Sequence, residues 1–80
     1  MTKTEQKLIE LAKQHNGRYS VGTCYGRGAY GGRKNYGVRE RDAMFRLEKA
    51  GLITIADRHQ WQDINRGYAM SGTIFVFELV

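Results

Sequence analysis

The stretch from Val38 to Ile53 constrains the fold more than any other part of the sequence. Its apolar residues recur at the spacing of an α-helix and fall on one side, which can face a core. These residues are Ala43, Met44, Leu47 and Ala50. Another side of this helix carries the carboxylate of Asp42 together with Arg39, Arg46 and Lys49. The sequence therefore predicts an amphipathic helix with a mainly basic outer surface.

The end of this stretch carries a resemblance to a known family. Gly51 stands where a helix needs a residue that tolerates positive φ, and an apolar run follows it directly. The pattern LEKAGLI at residues 47–53 resembles the end of the recognition helix and the start of the wing in winged helix-turn-helix proteins. The resemblance covers mainly residues 38–80. It implies a nucleic-acid-binding role, but many winged helices dock only other proteins, and a fold does not fix a function.

Length and composition predict one domain over residues 1–80, with a core near the lower size limit. Apolar residues make up 41% of the chain and charged residues 26%, which indicates a globular protein. No run reaches the ~20 apolar residues of a membrane span, and residues 1–3 lead into a polar helix instead of a signal sequence. The single cysteine, Cys24, is typical of a reducing compartment. We expect a cytoplasmic location, which would be the host cytoplasm for a phage-encoded protein.

The net charge of +5 is concentrated in one part of the chain. Residues 16–37 contain no acid and contribute +4, whereas the rest of the sequence contributes +1. The cations of this segment are Arg18, Arg27, Arg33 and Lys34. A localised basic patch is typical of a protein that binds a polyanion. The alternative is an ordinary solvated surface, since many small proteins are basic; we favour binding.

Two regular elements are predicted before the basic segment. Residues 2–15 are expected to form the first helix, because Thr2 and Glu5 have the spacing of a capping box. An apolar stripe follows at Leu8, Ile9, Leu11 and Ala12. Residues 18–25 alternate weakly between apolar and polar, which predicts a short strand that pairs with the wing hairpin.

The remaining segments predict a loop and a hairpin. Residues 26–37 contain five glycines, three cations and two tyrosines, a composition that predicts a basic loop in place of the usual middle helix. Residues 53–80 predict a β-hairpin with its turn at 65–67. Its second strand, 73–80, is apolar on both faces and is expected to be central or to cover a partner interface. The expected fold class is α+β: a winged-helix-like domain with two main helices, a small antiparallel sheet and a wing hairpin.

The candidate site joins the basic loop to the second helix and the wing. Arginine and lysine can neutralise phosphates, glycine allows close approach of the backbone, and tyrosine can stack on unpaired bases. The candidate residues are Arg18, Arg27, Tyr30, Arg33, Lys34, Tyr36, Arg39, Arg46, Lys49, Arg58 and Arg66. The alternatives are a surface loop whose tyrosines cover the core, and a helix face whose charges compensate one another.

Nucleic-acid binding is the favoured function, with duplex DNA as the expected partner and no catalysis or cofactor. Nothing in the spacing brings Cys24 together with His15 or His59, and these residues form no recognised metal-binding pattern. A second candidate is a small phage-encoded inhibitor, a class that includes the anti-CRISPR proteins. The chain resembles this class in size and style alone. Such an inhibitor would bind a host protein or nucleoprotein complex and block its nucleic-acid site. Homodimer formation stays open, because it would help so small a core.

Overall fold

The described parts of the chain form an α+β domain of two helices and an antiparallel sheet, which confirms the predicted class at this level. The computed structural model describes residues 1–27, 33–65 and 68–80, and it describes Arg27, Arg33, Lys34, Asn65 and Tyr68 by their backbone alone. The elements in chain order are α1 (Lys3–Gln14), β1 (Arg18–Gly22), β2 (Cys24–Arg27), β3 (Arg33–Tyr36), α2 (Val38–Lys49), β4 (Ile53–Asn65) and β5 (Tyr68–Leu79).

Helix α1 begins and ends as its sequence predicts. The backbone N–H of Glu5 donates to the Thr2 hydroxyl at 3.2 Å, so the predicted N-terminal cap is formed. At the other end, the backbone N–H of His15 donates to the last turn of the helix. Asn16 then adopts a positive φ of 61°, which turns the chain into β1. Leu8 and Ala12 are buried, and these two residues anchor the helix on the core.

Helix α2 buries most of the predicted apolar side. Ala43, Met44 and Leu47 are fully buried. Ala50 is exposed, contrary to the prediction, because it is the C-terminal capping residue and lies beyond the last buried turn. Gly51 has a φ of +78°, as its place after the helix predicts.

Strand β5 is the centre of the sheet, as its apolar character on both faces predicts. It pairs with β4 along one edge and with β1 and β2 along the other. The pairs Arg18–Glu78 and Arg27–Ala69 belong to the same register, so β1 and β2 form one line that is interrupted at Thr23. At the interruption, Thr23 remains bound to β5 through its backbone N–H, which donates to the carbonyl of Thr73 at 2.9 Å.

The predicted loop over residues 26–37 is wrong for much of its length, because Arg33–Tyr36 forms β3 and pairs with β2. Glycine weakens a strand in isolation, but here it makes room for a neighbour. A Cβ at Gly26 would lie only 2.8 Å from the side chain of Met70. Residues 28–32, which include Tyr30, lie outside the described residues.

The hairpin of β4 and β5 is longer than its sequence predicts. Strand β4 runs to Asn65, which pairs with Tyr68 at the start of β5. Residues 66–67, which include Arg66 and much of the predicted turn, lie outside the described residues. A register shift at Ala56 bends β4 next to the helices.

The core lies in one half of an elongated molecule of 42 × 22 × 21 Å. The helices pack on β1 and the adjoining ends of β4 and β5, over the side chains of Phe75 and Phe77. Phe77, Met44, Leu47 and Ile53 are the largest fully buried side chains of the described residues. Each contributes roughly 1.5–3 kcal/mol by its burial.

The other part of the sheet extends beyond the helices. We call it the distal half, and it comprises β2, β3, residues 58–65 of β4 and residues 68–73 of β5. The face of the sheet that continues from Phe75 and Phe77 is the front face, and the opposite one is the back face. Because successive residues of a strand point to opposite faces, the register assigns each described side chain to one of them.

Candidate nucleic-acid interface

Three of the predicted phosphate-binding residues lie together at the end of the distal half. Arg27 and Arg33 are direct cross-strand partners, and Lys34 is the partner of Gly26 one residue away. Arg27 is also the partner of Ala69, so the hairpin of β2 and β3 lies against the hairpin of β4 and β5. Residues 16–37 contain no acid, and Asp63 of β4 is an acid at the same level of the sheet, so the backbone gathers a net positive charge at this end, which we call the basic end.

Of the two predicted tyrosines, Tyr30 and Tyr36, Tyr36 belongs to the residues that the structure describes. Tyr36 ends β3 with 54% of its area exposed, and it pairs with Cys24 on the back face. Tyr25 pairs with Asn35 and Ser71, so it lies on the front face, and 51% of its area is exposed. Tyr30 and Arg66 lie outside the described residues. Tyr25 and Tyr36 of this hairpin therefore lie on opposite faces of the sheet.

The cations of α2 divide between a structural contact and open surface. The Nε atom of Arg46 donates to the Glu5 carboxylate at 2.9 Å, which ties α2 to α1. This hydrogen bond lowers the pKa of Glu5 below its ordinary value of 4.5; burial opposes the effect, and bonds from Thr2 add to it. Arg39 and Lys49 are exposed and form no ion pair with the described residues, so they are the cations of this helix that stay available for phosphate.

Arg18 lies away from the rest of the predicted site. It is the cross-strand partner of Glu78, and its guanidinium lies 3.3 Å from that carboxylate. This pair sits at the end of the sheet that the helices cover, opposite the basic end. The register of β1 on β5 therefore separates Arg18 from Arg27, although the sequence predicts one basic segment.

Arg58 lies on the front face, where it contacts the ring of Phe75. Its guanidinium carbon is 5.4 Å from the centre of the Phe75 ring, a cation–π arrangement. The rings of Phe45 of α2 and Phe75 are nearly perpendicular with their centres 5.4 Å apart, and 38% of Phe45 is exposed. Arg58 therefore stands where α2 meets the distal half of the sheet.

A front-face groove that the sequence does not predict extends from this point. Its larger part has a volume of about 490 Å³ and is lined by Thr23, Tyr25, Gln60, Trp61, Gln62, Ser71, Gly72 and Thr73. A smaller part of about 210 Å³ adjoins it at Thr23 and Thr73 and is lined also by Arg41, Asp42, Phe45, Arg58 and Phe75. The alternation of Arg58, Gln60 and Gln62 in the sequence is the signal that could have revealed it.

The back face of the sheet carries a row of apolar side chains beside His59 and Asp63 of β4, and no helix covers this row in the described parts of the chain. Large side chains of this face pack over glycines of neighbouring strands, as Trp61 does over Gly72. A Cβ at Gly72 would lie 2.7 Å from the indole nitrogen of Trp61. Ile74 lies 3.8 Å from the corresponding position at Gly22. This packing leaves Trp61, Met70, Ile74 and Val76 half-buried.

The residues considered for catalysis lie on separate elements. Cys24 is in β2, His59 is in β4 near the carboxylate of Asp57 at 3.9 Å, and His15 packs against the ring of Tyr19 at 5.1 Å. Across residues 1–27, 33–65 and 68–80, no three His, Cys, Asp or Glu side chains are grouped so that they could hold a metal ion. Among these same residues, no helix has the length and apolar character needed to cross a membrane.

Comparison with protein-family models, with curated proteins and with solved structures finds no match to this chain.

Proposed function

We propose that this protein binds nucleic acid, without catalysing a reaction, by placing its basic end on the phosphate backbone. The observation that carries this proposal is the cross-strand arrangement of Arg27, Arg33 and Lys34 beside a second hairpin. Neighbouring cations repel one another, and a polyanion relieves that repulsion while it releases its own counterions. Arg39 and Lys49 add positive charge on the outer surface of α2.

We infer a winged-helix-like role for two further elements. In this arrangement α2 is the recognition helix and the hairpin of β4 and β5 is the wing. The order of α1, β1, the hairpin of β2 and β3, α2 and the hairpin of β4 and β5 supports the inference, as does the positive φ of Gly51 between α2 and β4. The hairpin of β2 and β3 then stands at the place of the middle helix in the chain. Duplex DNA is the partner that this arrangement predicts, and the cations would contact phosphates more than base edges.

Fluorescence anisotropy with labelled duplex DNA, single-stranded DNA and RNA across a salt titration tests the proposal. The wild-type protein should bind at low salt, and its affinity should fall steeply as salt rises. Replacing Arg27, Arg33 and Lys34 together by Ala should weaken binding and reduce the slope of log K against log salt by roughly 2–3.

A second triple variant supplies the matched control for this experiment. Lys3, Lys7 and Lys13 are exposed residues of α1, and their replacement by Ala removes the same three charges. This variant should keep most of the wild-type affinity and slope. If the two triple variants lose affinity equally, net charge alone drives binding and the basic end is not the site.

The uncovered back face favours a second candidate function, namely binding of a host protein or nucleoprotein complex by a small inhibitor of the anti-CRISPR type. Half-buried Trp61, Ile74 and Val76 offer an apolar surface that a protein partner could cover. The salt titration distinguishes the two functions, because an inhibitor that docks through this face need not bind free nucleic acid. Ile74→Lys should then abolish capture of the partner, whereas the triple variant of the basic end should not.

A further inference from the structure

The front-face groove has a chemical character that the basic end lacks. Its floor is polar and uncharged at Gln60, Gln62 and Ser71, and exposed aromatic rings stand at its two ends, Tyr25 and Phe45. Between Ser71 and Phe75 the groove follows β5 for four residues, which is ~14 Å at ~3.4 Å per residue. A stacked single strand of roughly four nucleotides has the same length.

The groove carries few charges, so a polyanion can enter it but finds few phosphate contacts there. Asp42 is the acid among its lining residues, and Arg41 engages this carboxylate at 3.1 Å. Arg58 keeps its guanidinium over the Phe75 ring and forms no ion pair with the described residues. The groove therefore has a small positive excess, with amide and hydroxyl groups that can bond to base edges.

Exposed aromatic rings at the ends of a polar groove favour unpaired bases over a duplex. A base in a duplex has both faces covered by its neighbours, so Tyr25 and Phe45 can stack only on a base that is free. The side-chain amides of Gln60 and Gln62 each have two donors and one acceptor oxygen, which suit the Watson–Crick edges that a single strand exposes. We propose that the front-face groove holds unpaired bases, so that this protein prefers single-stranded to duplex nucleic acid.

This inference rests on the proposed phosphate contacts of the basic end. It replaces the duplex DNA that the winged-helix-like arrangement predicts with a single strand, whose bases add a stacking contact. In this arrangement the basic end holds the backbone of the strand while a few of its bases enter the groove. The stacking contact and the phosphate contacts differ in their response to salt, because stacking on a neutral ring releases no counterions. The two contacts can therefore be removed separately.

Two rings of the distal half provide the variant and its control. Tyr25→Leu removes the ring from the groove, and His59→Leu removes an exposed ring from the opposite face. The probe is a labelled oligothymidylate of about 12 nucleotides, within the ~4–16 nucleotides that such sites cover. Tyr25→Leu should weaken its binding at least about fivefold with an unchanged salt slope. His59→Leu and Tyr25→Phe should remain within about twofold of the wild type.

A measurement on the wild-type protein does not depend on any variant. Trp61 is the single tryptophan of the chain, and its indole packs against Gly72 on the back face, behind the groove. Its fluorescence should therefore change little when oligothymidylate fills the groove, whereas strong quenching would place the strand on the back face and overturn the inference. Thermal unfolding of each variant identifies any loss of affinity that comes from loss of the fold.

The outcomes separate this inference from the proposed function. A protein that binds duplex DNA more tightly than oligothymidylate, or a Tyr25→Leu variant that binds as tightly as His59→Leu, would overturn the groove as a base-binding site. The basic end could still be confirmed in that case by its own triple variant. Absence of binding to any nucleic acid at low salt would overturn both.

Discussion

The interruption between β1 and β2 makes a sharp prediction for the stability of Gly72→Ala. A Cβ at Gly72 would collide with the carbonyl oxygen of Thr23, far inside the 3.0 Å that real Cβ contacts respect. The other side is closed by Trp61, whose indole nitrogen lies 2.7 Å from the same position. Because Thr23 presents backbone and not a flexible side chain, the collision is relieved only if Thr23 moves away from β5.

The cost of that movement follows from the bonds it breaks. Thr23 and Thr73 are joined by three hydrogen bonds of 2.9, 3.1 and 3.3 Å. At a net ~0.5–1.5 kcal/mol for each bond, their loss lowers the free energy of unfolding by about 1.5–4.5 kcal/mol. In a domain of this size, the change lowers Tm by at least roughly 6 °C.

Urea and thermal unfolding followed by circular dichroism measure this effect, and Gly22→Ala is the matched control. Gly22 is also a back-face glycine next to the interruption, but a Cβ there meets Ile74 at 3.8 Å, an ordinary contact. We expect Gly22→Ala to change the free energy of unfolding by less than about 0.5 kcal/mol. If Gly72→Ala is as stable as Gly22→Ala, the close approach of Thr23 to β5 is wrong.

Three further predictions concern the core, a helix start and an ion pair. Leu47→Ala should lower the free energy of unfolding by about 2–5 kcal/mol, measured by urea unfolding, because Leu47 is fully buried between α2 and the sheet. Gly37→Ala should cost more than about 1–2 kcal/mol in the same assay, since Gly37 has a φ of +80° and its Cβ would strike the carbonyl of Gly22. The lowered pKa of Glu5 contributes stability that is complete above the ordinary value of 4.5 and is lost as pH falls through the lower folded value. Thermal melts across that range should therefore show a smaller acid loss in Glu5→Gln than in the wild type, and an unchanged loss would contradict the contact with Arg46.

The elements that the sequence predicts well are those that local chemistry specifies. Helix α1 carries its start signal in Thr2 and its buried side in Leu8 and Ala12, all within a few turns. The apolar residues on both faces of β5 predict its central place in the sheet. The sequence does not predict the hairpin of β2 and β3, because the reason for a glycine in this strand lies far along the chain. The side chain of Met70 lies over Gly26 and leaves no room for a Cβ there.

The sequence predicts the candidate site mainly as a group of positively charged residues. The structure divides these residues by the contacts that they make, which their charge alone does not reveal. Arg18 and Arg46 form ion pairs with acids of other elements, so these two arginines also hold elements of the fold together. The basic end needs the pairing of Arg27 with Arg33, which follows from the unexpected strand β3. The front-face groove joins residues of α2, β2, β4 and β5, and no local pattern contains all of them.

The separation of the core from the distal half has a consequence for how the native protein opens. None of the nine buried core residues of the described chain lies in β2, β3 or the distal parts of β4 and β5. Hydrogen bonds without a buried apolar layer open at low free energy, without unfolding of the whole domain. Amide protons around Tyr25 and Gln62 should therefore exchange with solvent faster than those around Val21 and Phe77. A ligand that settles on the distal half would slow that exchange there first, so hydrogen exchange maps its position without any variant.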